Sequence, residues 1–412
     1  MTVNDVFDIT KHKLETEHIG FFDGFEKPLL LISTTYPGVW LEHVYDSVFY
    51  AMTDNSKLYL AENTIDLFIK NQTDDGQLPC YVLDKKKASG WRNTVGFSQI
   101  QECVSFAKLC LSVYKLNGDK QFLKICYNAS AKWVYWLKKN RMTTKRNMVE
   151  MFVGYDTGHD NSGRLSGLSC VGNYSINGVE QNAAVLPSAD DVAPIIAVDM
   201  NCNYYATLKA LSEMARELEY FDEANNWTAE AAELKRNLFK FCYNKDDCFF
   251  YDVDKYGNQR KFLSSTIFHL FLEDVLDKDE DAQLIGEIYR RHISNPEEFA
   301  TSFPYPSMAI NDPSCVNHKE GNCWGYYSQG LIALRTTLWM EKYGFKKEFE
   351  NLCRKWVEAW TKHFDDVKMG QELDPITGTP TKTSEWYSST MLFYLYAAKR
   401  IGTVADKKIK GF

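Results

Sequence analysis

Two runs of polar residues and glycines carry the side chains of this sequence that are best suited to acid–base chemistry. The first run is Gly154-Tyr155-Asp156-Thr157-Gly158-His159-Asp160-Asn161-Ser162-Gly163-Arg164. Its glycines let the backbone approach a ligand closely, and it supplies the carboxylates of Asp156 and Asp160 and the bidentate donor Arg164. It lacks the alternating acidic residues and the terminal Glu of a Ca²⁺ loop. A capped turn at a helix N-terminus stays open as a purely structural interpretation.

The second run holds Glu372 just before a rigid corner of the chain. It contains Asp374-Pro375-x-Thr377-Gly378, a pattern that favours a tight turn. Taken alone, a Glu in this position could equally be a solvated surface residue. Two loop carboxylates far apart in sequence, accompanied by loop aromatics such as Trp40 and Trp324, are what glycoside hydrolysis requires. One carboxylic acid protonates the glycosidic oxygen, and one carboxylate activates water or attacks the anomeric carbon.

Amphipathic helices must position these two runs. Helical spacing of apolar residues predicts helices near residues 41–53, 57–71, 98–117, 120–140, 199–218, 221–244, 264–272, 279–291, 326–343, 346–363 and 385–401. Short breaks such as Asn117-Gly118-Asp119 and Tyr343-Gly344 join them as helical hairpins. About a dozen helices arranged in this way fit either an α-solenoid or a closed double ring of inner and outer helices. The widely varying loop lengths weigh against the solenoid.

The chain is predicted to be one domain, residues 1–412, because no Pro/Ser/Gly-rich linker or charge block divides it. Residues 142–198 show little helical period and form a long loop-rich insertion that carries Asp160. The insertion also contains apolar and aromatic side chains that predict order, namely Met151, Phe152, Tyr155 and Tyr174. A long ordered loop in a compact domain is usually functional.

Composition places the chain among ordinary globular proteins and excludes several function classes. In 412 residues, 47 Lys+Arg against 55 Asp+Glu give a formal charge of −8, which argues against a general nucleic-acid-binding surface. Eleven cysteines without a CxxC pair predict reduced thiols, and neither a secretory signal nor a membrane-length apolar stretch is seen, so a cytoplasmic location is expected. The many aromatic residues divide between cleft and core, and helical spacing assigns four of them to the core: Trp133, Trp136, Trp356 and Trp360.

The order of these polar and aromatic residues resembles glycoside hydrolase family 63. The resemblance is greatest to its compact bacterial members acting on glucosylglycerate and mannosylglycerate, and trehalases share related motifs. The matching residues, spread over about residues 36–400, are Trp40, Asp46, Gln99, Asp160-Asn161-Ser162-x-Arg164, Val198-Asp199-x-Asn201, Trp324, Glu372-x-Asp374-x-x-Thr377-Gly378 and Trp386-x-Ser388. The resemblance implies an all-α fold, the (α/α)6 toroid, with long loops forming the active-site mouth.

The resemblance also implies residue roles. Asp160 would be the general acid and Glu372 the general base of an inverting α-glycoside hydrolase. Its substrate would be a small glycoside with terminal glucose or mannose: glucosylglycerate, mannosylglycerate or an α-gluco-disaccharide. The −1 sugar pocket would be lined by Trp40, Asp46, Gln99, Arg164, Trp324 and Trp386. Asp156 falls where the family often has another acidic residue, and we expect it to raise the pKa of Asp160 by like-charge proximity. Hydrolysis at the anomeric carbon needs no cofactor, so neither a cofactor nor a metal is expected.

Three departures from the family pattern concern substrate contacts more than the acid and the base. Gly163 stands where Pro is usual, Gly325-Tyr326-Tyr327 replaces Arg-Gly-Pro, and Leu373 replaces Tyr. Two other functions stay open from the sequence. One is a sugar 2-epimerase on the same helical ring, which typically uses paired histidines, and the other is a non-catalytic carbohydrate-binding protein. The expected partner is a small glycoside rather than nucleic acid or a membrane, and exposed loop aromatics could serve a homo-oligomer interface.

Overall fold

α-Helices make up most of the regular structure. The computed structural model describes residues 1–172, 180–187, 191–317 and 324–404. The helices are α1 (Val3–Thr16), α2 (Val44–Thr53), α3 (Leu58–Lys70), α4 (Phe106–Asn117), α5 (Lys120–Asn140), α6 (Val198–Glu217), α7 (Phe221–Asn237), α8 (His269–Leu272), α9 (Ala282–Ile288), α10 (Gly330–Thr336), α11 (Lys346–His363) and α12 (Ser388–Arg400). A 3-10 turn, Leu41–His43, leads into α2, and π-helical turns extend α7 and α9 over Leu238–Cys242 and Tyr289–Ile293.

The strands are short and lie in the segments that connect helices. They are β1 (Ile19–Phe22), β2 (Phe25–Leu30), β3 (Gly38–Trp40), β4 (Tyr81–Leu83), β5 (Val95–Gly96), β6 (Glu150–Met151), β7 (Ile195–Ile196), β8 (Tyr243–Asn244), β9 (Phe249–Phe250), β10 (Asp252–Val253), β11 (Gln259–Arg260), β12 (Ser328–Gln329) and β13 (Glu372–Leu373). They form small sheets ordered β1-β2, β3-β4-β5, β6-β7-β10-β11, β8-β9 and β12-β13. Two of these sheets position the candidate site, because β3 ends at Trp40 and β13 begins at Glu372.

Helix contacts follow two patterns. Consecutive helices pack as hairpins, α2 against α3, α4 against α5, α6 against α7 and α11 against α12. Alternate helices also contact one another, in the pairs α2–α4, α4–α6, α6–α8, α10–α12 and α12–α2. The second set of contacts leads from α2 through α4 and α6 to α8, and separately from α10 through α12 to α2. Each hairpin contributes one helix to it.

Burial distinguishes the two kinds of helix. α6 is buried on all its faces between Val198 and Leu208, which is typical of a helix surrounded by other helices. α11 buries only one stripe, which recurs at helical spacing: Phe349, Leu352, Cys353, Trp356, Val357 and Trp360. The prediction that the helix-spaced tryptophans belong to the core is confirmed. Trp133, Trp136, Trp356 and Trp360 are all at most 2% exposed.

The hairpin break between α4 and α5 shows how sequence sets helix ends here. Gly118 has φ +67°, a left-handed conformation that favours glycine and ends α4. Asp119 is the N-cap of α5, and its carboxylate accepts hydrogen bonds from the backbone amides of Gln121 (2.8 Å) and Phe122 (3.2 Å). The predicted bounds 120–140 and 346–363 agree with α5 and α11.

Other helix predictions are wrong. α1 is absent from the predicted helices, although Thr2 and Asp5 form a capping box at its start. The helix predicted over 98–117 begins only at Phe106, after the N-cap Ser105. Residues 98–105 are instead a loop that brings Gln99 and Gln101 to the candidate site. α10 is shorter than predicted and ends at Thr336.

Three further features concern the described ranges as a whole. No helix there is long and apolar enough to cross a membrane. In the same ranges, no cluster of three or more His, Cys, Asp or Glu side chains could hold a metal ion. All cysteines outside the gaps in the description are free thiols, and most are buried. His318-Lys319-Glu320, Asp190 and Tyr174 lie outside the described residues.

Candidate active site

A cavity of about 420 Å³ opens where β3, the α2 N-terminus and several loops meet. Four of the predicted site residues line it: Trp40, Gln99, Asp160 and Trp324. Further lining residues are ones to which the sequence analysis assigns no role, among them Glu42, Lys87, Gln101, Gln371, Ser384 and Tyr387. Acidic, amide and aromatic side chains thus share one concave site, as a carbohydrate-binding cleft requires.

A strained turn presents Asp160 to the cavity. Gly158 has φ +71°, and a Cβ at this position would lie 2.7 Å from Cys103 Sγ and 2.8 Å from Glu42 Oε2. Asn161, directly after Asp160, also has a left-handed backbone at φ +58°. Such conformations persist where the surrounding structure fixes them, which is common at active sites. The His159 ring stacks on Trp324 at 4.5 Å between centroids, and this contact anchors the turn.

Burial raises the pKa of Asp160 to about 7, although a hydrogen bond from its own backbone amide acts in the opposite direction. A carboxyl group with this pKa is about half protonated at pH 7, whereas an ordinary Asp is almost fully ionised there. It can therefore donate a proton, which is the task of a general acid.

The pH dependence of turnover follows from this pKa. If Asp160 must be protonated, kcat/KM should fall as the pH rises through about 7, approaching a tenfold loss per pH unit on the basic limb. The measurement is kcat/KM from about pH 5 to about pH 9. Glu42→Gln is the control, and in it the limb should remain. A limb that disappears in Glu42→Gln would assign it to that residue instead.

Glu372 lies on β13, next to the cavity-lining residue Gln371, and pairs with β12 through the register Gln329↔Glu372. Gln329 Nε2 donates to Glu372 Oε2 at 2.8 Å, and Thr381 Oγ1 donates to Oε1 at 2.9 Å. These two hydrogen bonds orient the carboxylate. The following turn forms as predicted, since the Asp374 carboxylate accepts from the backbone amides of Ile376 and Thr377. The surface interpretation of Glu372 is therefore wrong, because the residue is fully buried.

Tyr36 connects the acidic residues electrostatically. Burial, and then the negative charges of Asp160 and Glu42, raise the pKa of the Tyr36 phenol. Glu372 acts in the same direction. All three carboxyl groups are near enough to act on this hydroxyl, and Glu372 acts on it the least. Tyr36, Glu42 and Asp160 line the cavity together, whereas Glu372 is buried beside the lining residue Gln371 and is not among the described residues that line the cavity.

Glu42 is a cavity residue that the sequence analysis missed. It lies in the 3-10 turn before α2, and burial raises its pKa to about 8, with Asp160 and Asp46 acting in the same direction and Arg335 against it. Position along the helix distinguishes the two acids: Glu42 lies in the turn at the helix start beside Trp40, whereas Asp46 lies about one turn further along the same face.

Asp46 is predicted in the sugar pocket, but it is not among the described residues that line the cavity. It is buried below the cavity, where its Oδ2 accepts hydrogen bonds from Ser388 Oγ (2.5 Å) and Ser389 Oγ (2.8 Å). These bonds join α2 to the first turn of α12. Its carboxylate is a fixed connection between two helices and does not line the cavity.

Arg164 is also predicted in the sugar pocket, and it too is not among the described residues that line the cavity. Its guanidinium is buried between Asp199, at 2.6 Å, and Asp252, at 3.2 Å. Asp199 lies in the first turn of α6 and Asp252 begins β10, so Arg164 fastens the loop carrying Asp160 to the helical core. Asn201, from the same motif as Asp199, also has a structural role. Its side chain forms hydrogen bonds with the backbone amide and the carbonyl oxygen of Val149.

Trp386 is the third predicted pocket residue that is not among the described residues lining the cavity. Its ring packs against Phe364 at 5.8 Å and lies 5.2 Å from Lys13 Nζ. Its backbone has φ +58°, and its carbonyl oxygen accepts a hydrogen bond from His18 Nε2. The side chains that reach the cavity from this segment are its neighbours Ser384 and Tyr387.

Asp156 has no part in raising the pKa of Asp160, contrary to prediction. Its carboxylate forms a bidentate ion pair with Arg141, at 2.6 and 3.2 Å, and both groups are buried. It also accepts from the backbone amides of Ile100, Phe152 and Val153. Asp156 therefore organises the loops around the cavity from behind, and burial is the cause of the shift at Asp160.

This ion pair should matter for stability. Asp156→Asn removes the charge while keeping the shape, which leaves the buried Arg141 guanidinium without its counter-ion. We expect the free energy of unfolding to fall by about 3–5 kcal/mol, measured by urea denaturation. Glu213→Gln, which breaks an exposed pair with Lys115, is the matched control and should leave the midpoint nearly unchanged. Equal midpoints for the two variants would contradict the structural role.

Comparison with known proteins identifies the family of this chain. The family model for the mannosylglycerate hydrolase MGH1-like glycoside hydrolase domain matches residues 45–390. No curated protein matches the sequence. Among solved structures, the GH63 mannosylglycerate hydrolase from Thermus thermophilus in complex with glucose has a TM-score of 0.69 at 15% identity, covering 95% of this chain and 99% of that chain. The same enzyme with Tris and D-glycerate has a TM-score of 0.70 at 14% identity, with the same coverage.

A second kind of neighbour has a related fold. Neutral trehalase Nth1 from Saccharomyces cerevisiae has a TM-score of 0.66 at 13% identity, covering 98% of this chain and 82% of that chain. At such low identity these likenesses establish the shared fold, while the family model carries the assignment. The chain therefore belongs to the MGH1-like glycoside hydrolase family and is a glycoside hydrolase.

Proposed function

We propose that this protein is an inverting α-glycosidase that releases a terminal glucose or mannose from a small glycoside. Asp160 is the general acid and Glu372 the general base. The observation that carries the proposal is the contrast between their surroundings in one site. Burial raises the pKa of Asp160 to about 7, so a large share of its carboxyl groups carries a proton near neutrality, whereas the Glu372 carboxylate accepts hydrogen bonds from Gln329 and Thr381. A proton donor and an oriented acceptor are the two groups that the reaction needs.

The reaction uses one water molecule and no group from outside the chain. Asp160 gives its carboxyl proton to the glycosidic oxygen as the bond from that oxygen to the anomeric carbon breaks. Glu372 removes a proton from a water molecule whose oxygen attacks the anomeric carbon from the opposite face. The sugar leaves with inverted configuration and the aglycone leaves as an alcohol. Proton exchange with solvent then restores both carboxyl groups.

The helix contacts support the proposal that the fold is a closed (α/α)6 toroid formed by a single domain over residues 1–412. The chain of alternate-helix contacts that starts at α2 reaches α8, and a second part leads from α10 through α12 back to α2. One hydrophobic cluster extends from Val6 to Val404, which supports a single domain. In this arrangement the loops carrying Asp160 and Glu372 form the mouth of the ring, and 142–198 is the long insertion at that mouth.

The deciding experiment combines a substrate screen with the stereochemistry of the product. Glucosylglycerate, mannosylglycerate, kojibiose and nigerose are incubated with the enzyme, and proton NMR follows the first sugar released. An inverting enzyme acting on an α-glycoside releases the β-anomer first. Early appearance of the α-anomer would mean a retaining mechanism. New isomers without a released aglycone would indicate an epimerase, although no histidine occurs among the described residues that line the cavity.

A further inference from the structure

Trp91 stands between two cavities. It lines the active-site cavity and also a second cavity of about 490 Å³. Edge-on contacts hold its ring, with centroid distances of 5.9 Å to Trp40 and 5.4 Å to Tyr81. The residue is nevertheless 38% exposed. A ring that is fixed by neighbours and open to solvent is a suitable platform for the apolar face of a sugar.

The second cavity has the composition of a carbohydrate-binding surface. Besides Trp91, two more rings line it, those of Tyr81 and Phe97. Its polar lining includes the planar side chains of Arg92, Asn93, Glu180 and Gln181. Asn93 Nδ2 donates to Glu180 Oε1, which connects the two polar sides of the cavity. Aromatic faces with planar donors and acceptors are suited to a polyhydroxylated ligand.

Charge indicates what kind of ligand this second cavity takes. Arg92 and Glu180 are the charged residues among its described lining, and their charges cancel. A neutral ligand therefore fits this cavity better than an anion. In the active-site cavity, Lys87 is the basic residue among the described lining, and it shares that cavity with the acidic Glu42 and Asp160. A short anionic aglycone could pair with Lys87 inside the active-site cavity and would not extend into the second cavity.

We propose that the second cavity is an additional sugar-binding subsite. The leaving group is then a neutral saccharide whose outer sugar unit crosses the exposed edge of Trp91 and lies against Tyr81, Phe97 and Asn93. The natural substrate would be an α-linked oligosaccharide longer than a disaccharide. This inference rests on the proposed glycosidase function and specifies its substrate class.

The test compares a disaccharide and a trisaccharide that share the same terminal α-linkage. In the unmodified enzyme, kcat/KM should be about 10-fold higher for the trisaccharide, since a stacked sugar contributes roughly that factor. Trp91→Ala should bring the ratio of the two values close to one, and Trp91→Phe should retain part of it. Asn93→Ala tests the polar side of the cavity independently and should also lower the ratio.

Tyr256→Ala removes an exposed ring (72% exposed) that lies outside both cavities, and it is the matched control that should leave the ratio unchanged. Equal kcat/KM for the two saccharides in the unmodified enzyme would overturn the inference. Hydrolysis of glycerate glycosides but not of the trisaccharide would overturn it too, while leaving the glycosidase function intact. Failure to hydrolyse any glycoside would overturn both.

Discussion

Replacing Asp160 with Asn is expected to lower kcat on disaccharide substrates by about 10²–10⁴-fold. Asn has the shape of Asp but no acidic proton, so the glycosidic oxygen must leave as a poorly stabilised anion. Binding should change much less, because Asp160 acts on the leaving oxygen. The measurement is steady-state hydrolysis, with thermal unfolding as the check that the chain is folded. The position lies at the cavity surface and not in the packed core.

The choice of leaving group separates loss of an acid from general damage. A glucosyl fluoride loses fluoride with little need for protonation, so Asp160→Asn should hydrolyse it at a rate much closer to that of the unmodified enzyme. Loss of activity on both substrates would mean that the variant distorts the site. Near-normal hydrolysis of the disaccharide would remove Asp160 from the mechanism.

Glu372→Gln should also lower kcat by about 10²–10⁴-fold, because the amide cannot accept a proton from the attacking water. The base is needed whatever the leaving group, so this variant should be slow on the disaccharide and on the fluoride alike. The dependence of activity on the leaving group thus distinguishes Glu372→Gln from Asp160→Asn. Both substrates are measured with the same enzyme preparations.

Two further variants serve as controls for Glu372. Asp374→Asn lies in the same turn, and Asn can still accept hydrogen bonds from the amides of Ile376 and Thr377, so most activity should remain. Glu42→Gln tests the carboxyl group that lines the cavity together with Asp160. A near-normal Glu372→Gln together with an inactive Glu42→Gln would transfer the base role to Glu42.

Local sequence predicts much of the helical framework. Helix spacing and end signals act within a few residues, so the predicted bounds of α5, with its Asp119 cap, and of α11 are the observed ones. The failures are also local. The start of the predicted 98–117 helix is wrong because residues 98–105 form a loop at the cavity, and α4 begins only after its N-cap Ser105.

The site is predicted less completely than the helices. Trp40, Gln99, Asp160 and Trp324 line the cavity as expected. Glu42 is missed although it lies two residues from Trp40, since the nearby Asp46 is the better match to the family pattern. Residue type identifies which polar side chains could act in the site. It does not distinguish side chains that line the cavity from side chains that form the buried ion pairs between loops.

Residue types, several helix bounds and the resemblance to the family can be obtained from the sequence without a structure. The partners of the charged side chains cannot be obtained from the sequence, because they depend on the tertiary fold. Asp156 meets Arg141 15 positions away, Arg164 meets Asp252 across 88 positions, and Asp46 meets Ser388 across 342. A buried charge must find a partner, and a partner that distant is fixed by the packing of the whole helical framework.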